Sequence, residues 1–89
     1  ARARRAAPRA VEATRAEDRR ARAELQKHAR EQSRIERDIE TREERIRLLE
    51  QQLGDPEVYQ DGPRARELVG EYERVRAELE SLWQRIGEL

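Results

Sequence analysis

The chain has no cysteine and no phenylalanine, and aromatic residues make up only 3% of its 89 positions. Without cysteine there is neither a disulfide nor a thiolate metal site. With so few aromatics, a chain of this length has too little apolar bulk for a layered globular core. No run approaches the roughly 18 apolar residues of a membrane span, and no hydrophobic signal segment opens the sequence, so a cytoplasmic protein without membrane contact is expected. The G-x-x-x-x-G-K-[ST] nucleotide loop is absent, which leaves no ATP site within these residues. His28 is the only histidine and has no second ligand at helical spacing, so a metal site has no support either.

What the chain does have is charge. Charged residues make up 45% of it, with 20 basic side chains balanced by 20 acidic ones. The zero net charge conceals a division along the sequence: residues 1 to 30 carry ten Arg or Lys against four acids, a balance of +6, while residues 31 to 89 carry ten against sixteen, a balance of −6. A basic end of this kind can meet polyanions while the acidic end stays solvated.

The second positive feature is periodicity. Apolar residues recur at Ile35, Ile39, Ile46, Leu49 and Leu53, and again at Leu68, Tyr72, Val75, Leu79, Leu82, Ile86 and Leu89, at steps of three and four with one polar gap at Arg42. This is the seam of a coiled coil that turns back on itself. The expected fold is therefore all-α: an antiparallel two-helix coiled-coil hairpin with a long first helix, a short Gly/Pro connector and a basic N-terminal arm. Residues 1–10 read as the arm and residues 11–89 as the hairpin, with helix one over about 11–53, the connector over 54–62 and helix two over about 63–87. Gly54 is placed for a left-handed C-cap, Asp55-Pro56 and Asp61-Gly62-Pro63 each restart a helix, and one helical turn fits between Pro56 and Tyr59.

Placing Ile39 and Ile46 at heptad position a sets Leu49 opposite Tyr72, Ile46 opposite Val75, Ile39 opposite Leu82 and Ile35 opposite Ile86. On the flanks this register brings Asp38 to Arg85, Glu43 to Arg76 and Arg45 to Glu78. Arg42 can lie along the seam by its methylene stem and lift its guanidinium to water. Val58 and Tyr59 are expected over the open end of the seam, and Trp83 on its flank. Upstream of Gln32 the second helix has run out, and Asp18, Ala21, Leu25 and His28 fill the seam positions poorly. Such a hairpin is modestly stable and can gain from weak self-association.

Two narrow helices enclose no cleft from which water could be excluded, so the chain by itself is not expected to be an enzyme. The surface carries the functional signal instead. With the heptad fixed, the outward positions of helix one from Ala13 through Arg37 hold Arg19, Arg20, Lys27, Arg30, Arg34 and Arg37 without an interrupting acid. The acids are displaced to a column at Glu17, Glu24, Glu31 and Asp38. The stripe from Arg19 to Arg37 is about 27 Å long, enough to track several phosphates. No aromatic interleaves it for base stacking, so contact would be to nucleic-acid backbone without sequence reading. The plainer reading is a solvated helix face on which Glu24 pairs with Lys27 and Glu31 with Arg34. A protein-protein interaction or dimerisation coiled coil, with the overhang Val11 to His28 completing its seam on another chain, is the alternative function.

Residues 53 to 89, LGDPEVYQDGPRARELVGEYERVRAELESLWQRIGEL, resemble the C-terminal coiled-coil domain of ABC-F ATPases, particularly the Uup type. Leu53, Asp55, Pro56, Tyr59 and Asp61 match that family's turn, and Leu79, Leu82, Trp83 and Leu89 match the end of its second helix. Ile86 stands where the family has a closing Trp, Gly62 is an extra residue, and Arg42 replaces a seam aliphatic. The resemblance implies a tail attached to two adjoining ATP-binding cassettes, which would hold ATP and Mg, in a parent protein that acts on ribosomes or nucleic acid. It also implies that the partner of the basic stripe is DNA or ribosomal RNA. The L-x-D-P-E-V turn is similar to that of the N-terminal helical domain of class-one release factors as well, but the likeness ends after the turn and the Gly-Gly-Gln loop is absent.

Overall fold

The computed structural model describes the backbone of residues 2–89 and side chains from Arg9 onward. Three helices account for nearly all of it: α1 (Arg2–Leu53), α2 (Pro56–Gln60) and α3 (Gly62–Glu88). Among the described residues there is no strand, and no helix is long and apolar enough to cross a membrane. The chain divides into two units, residues 1–31 and residues 32–89.

The first unit is helical from Arg2, so α1 starts earlier than the expected beginning of helix one at about residue 11; Ala1 lies outside the described residues. Alanine and arginine, which dominate these residues, are strong helix formers whether or not they are buried. Among the described side chains of this unit none is buried. Val11 and Leu25 are exposed, Leu25 at 70%, and of residues 9–30 only Ala16 is even half-covered.

The second unit is the hairpin. Ile35, Ile39, Ile46 and Leu49 of α1 are buried together with Val75, Leu79 and Leu82 of α3, with Tyr72 and Ile86 packed partly against the cluster. Burial at steps of three and four on both helices is what a shared apolar seam requires, since it keeps one stripe of each helix facing the other. The two run antiparallel: Arg42 meets Glu78 while Glu50, further along α1, meets Tyr72, further back along α3.

Aspartates direct the chain through the connector. Gly54 does not take the left-handed conformation expected of it, since no glycine here has a positive φ. The Gly54 N–H still donates to the Glu50 carbonyl at 3.0 Å, and the Asp55 N–H donates to the Gln52 carbonyl at 3.2 Å, so α1 ends by tightening its last turn. Asp55 is extended, at φ −80 and ψ 120, and its side chain accepts from the Glu57 N–H as the N-cap of α2. Asp61 closes α2 through its N–H to the Val58 carbonyl and opens α3 by accepting from the Arg64 N–H at 3.3 Å. Proline in the first turn of each helix surrenders a donor that has no intrahelical partner anyway. The expected single turn is thus the five-residue α2. Val58 is half-buried, but Tyr59 is 72% exposed and does not cover the seam.

The ion pairs on the flank differ from those expected. Arg42 lifts its guanidinium to protein instead of water: Nε donates to Glu78 Oε2 at 2.8 Å and Nη1 to the Asp38 carbonyl at 3.2 Å. Arg74 approaches the other oxygen of Glu78 at 3.7 Å. With Glu78 occupied, Arg45 pairs with Glu71 in place of Glu78. Asp38 with Arg85 and Glu43 with Arg76 do not form ion pairs among the described residues.

Candidate nucleic-acid interface

Solvent-facing positions of a helix recur at the same three-and-four spacing as its seam, displaced around the axis. On α1 those positions carry the expected contact residues. Arg19, Arg20, Lys27 and Arg30 belong to the first unit, and Arg34 and Arg37 to the second. All six are exposed. Within the first unit alone, Arg19 to Arg30 extend along about 16 Å of helix.

Their electrostatic state, shared with other exposed arginines such as Arg15, Arg22, Arg76 and Arg85, separates them from the arginines paired within the molecule. Among the described residues, ion pairs engage Arg42, Arg45, Arg47 and Arg74, and none engages any of these six. The local pairs of the plainer reading, Glu24 with Lys27 and Glu31 with Arg34, are not formed among the described residues. An exposed cation without a fixed acid holds its counterions loosely, and a phosphate can take their place.

Arg45 shows the contrasting case. Its Nε and Nη2 donate to the two oxygens of Glu71 at 2.7 and 2.8 Å. The hydrogen bond to Arg45 holds the Glu71 carboxyl below the usual carboxylate range, against the opposing effect of burial, and Glu71 raises the guanidinium in turn. Such a guanidinium is committed to the hairpin and unavailable to a ligand.

The remaining chemistry is sparse. His28 is exposed, and among the described residues no group of three acidic or histidine side chains could hold a metal ion. Trp83, expected on the flank of the seam, is 43% exposed and lines a groove between α1 and α3 with Glu43, Glu50 and Arg76. Spacing placed Trp83 on the flank, but whether the flank closes depends on side chains whose reach a heptad does not specify. A second shallow groove lies between Tyr59 and Val69, beside Gly70.

Comparison with known proteins adds one positive finding. The family model of the ABC transporter C-terminal domain matches residues 23–89, three quarters of the chain. No curated protein and no solved structure matches it.

Proposed function

We propose that this chain, which belongs to the ABC transporter C-terminal domain family, is the non-catalytic tail of a cytoplasmic Uup-like ABC-F ATPase and docks on nucleic acid through the basic residues of α1. Membership of that family supports reading it as an accessory domain beside ATP-binding cassette domains. On this reading ATP and Mg are held by those cassettes, and the residues here contribute binding alone.

One observation carries the proposal. Arg19, Arg20, Lys27, Arg30, Arg34 and Arg37 follow one another along the outward face of α1, exposed and without an ion-pair partner among the described residues, whereas Arg42, Arg45, Arg47 and Arg74 are paired. Guanidinium groups in that state suit the phosphate backbone of DNA or ribosomal RNA, and backbone contact needs no aromatic platform. The binding is therefore electrostatic and indifferent to sequence. Replacing Arg20, Lys27 and Arg34 together by Glu tests it: duplex DNA or RNA affinity should collapse while helicity by circular dichroism stays unchanged. Affinity that survives the triple replacement would remove these residues from the site.

A further inference from the structure

The two flanks of the hairpin are unlike. One is closed by Arg45 on Glu71 and Arg42 on Glu78. The other is an open groove of about 440 Å³, floored by Ile46 and Leu79, with Trp83 half-exposed and Glu43 and Glu50 at its edge. Glu36, Glu43 and Glu50 follow one another at seven-residue steps along α1, and none of them has an ion-pair partner among the described residues. Arg76 and Arg47 also line the groove, but Arg47 is engaged by Glu44.

From this groove we infer that the chain self-associates, each copy laying the Arg15–Arg22 face of its first unit into the Glu43, Glu50 and Trp83 groove of a second copy. Charge selects the occupant, because residues 1 to 30 carry +6 and residues 31 to 89 carry −6, so the complement of the acidic part lies in the same sequence. Spacing agrees. Arg15 and Arg22 are seven residues apart, as Glu43 and Glu50 are, and each pair therefore spans about 10.5 Å of helix. Both arginines are exposed and without ion-pair partners among the described residues. A guanidinium entering beside Trp83 can stack on the indole face while its N–H groups reach a carboxylate. In the inferred dimer the exchange is reciprocal, each copy's segment in the other's groove, so the contact is isologous and stops at two copies.

Sedimentation of the full chain tests this, with the emission of Trp83, the only tryptophan, as an independent report from the groove. At low salt the chain should dimerise, its emission moving to shorter wavelength as concentration rises, and high salt should reverse both changes. Glu43→Arg/Glu50→Arg and Arg15→Glu/Arg22→Glu should each be monomeric, and mixing the two should restore a dimer, since each then supplies what the other lacks. Glu43→Gln/Glu50→Gln, which adds no repulsion, should weaken the dimer at unchanged helicity. A wild-type chain that stays monomeric at low salt, variants that associate as the wild type does, or a mixture that fails to pair would each overturn the inference. Neither acid variant touches a residue assigned to nucleic acid, so loss of the dimer with DNA affinity retained separates this inference from the proposed function.

Discussion

Arg45 holds Glu71 across the hairpin by two parallel hydrogen bonds of 2.7 and 2.8 Å, a fork-to-fork pairing that ties α1 to α3 on one flank only. The arrangement has a pH signature. The carboxyl of Glu71 is held below its ordinary range, so it binds a proton more readily in the unfolded chain than in the folded one. Its contribution to stability is complete above the ordinary carboxylate range and is lost as pH falls through that range to the folded value. The thermal midpoint of the wild type should therefore drop between about pH 7 and about pH 3 more steeply than that of Glu71→Gln. Equal slopes would show that the pair contributes nothing to folding.

Burial divides the leucines sharply. Leu79 is 2% exposed within the seam and Leu25 is 70% exposed in the first unit. Leu79→Ala should cost about 2–5 kcal/mol in chemical denaturation, from lost burial and the cavity left behind. Leu25→Ala should change stability by less than about 0.5 kcal/mol in the isolated monomer. A large Leu25 effect would mean that the first unit packs on something.

Gly70 sits in the interior of α3, and a Cβ added there meets nothing within 4 Å. The helix pays backbone entropy at this position without a steric reason. Gly70→Ala should raise the stability of the hairpin by about 0.5–1 kcal/mol in the same denaturation assay. A loss of stability instead would indicate that α3 cannot be treated as an ordinary solvated helix there.

The seam was the most legible part of the molecule. Of the residues that steps of three and four name, Ile35, Ile39, Ile46, Leu49, Val75, Leu79 and Leu82 are buried, because one face of each helix must leave water whatever the flanks do, whereas Leu53, Leu68, Tyr72 and Ile86 are half-buried and Leu89, past the end of α3, is exposed. The aspartate and proline pairs likewise mark the starts of α2 and α3 through caps that are local in sequence. Less legible were the details that depend on competition. Several acids lie within reach of Arg45, and exposed pairs differ by less than about 1 kcal/mol, so spacing alone does not select Glu71 over Glu78. Gly54 permits a left-handed cap without requiring one, and the extended Asp55 makes the turn in its place. The open groove beside Trp83 was missed for a related reason: a heptad assigns positions, not the gaps between side chains.

The basic positions of α1 were legible as a pattern, and their exposure follows from the same helical geometry that buries the seam. The charge on them makes a quantitative demand. Binding by displacement of counterions from duplex DNA must weaken linearly in the logarithm of salt concentration, with a slope proportional to the number of phosphates neutralised.

That slope is the most direct measurement of the account. Titration of duplex DNA into the chain at several salt concentrations should give a slope of about −3 to −5, as three to six phosphate contacts require, and Arg20→Glu/Lys27→Glu/Arg34→Glu should show no measurable binding even at low salt. A wild-type affinity that is flat in salt, or a triple variant with the wild-type slope, would contradict the assignment of α1 as a nucleic-acid contact.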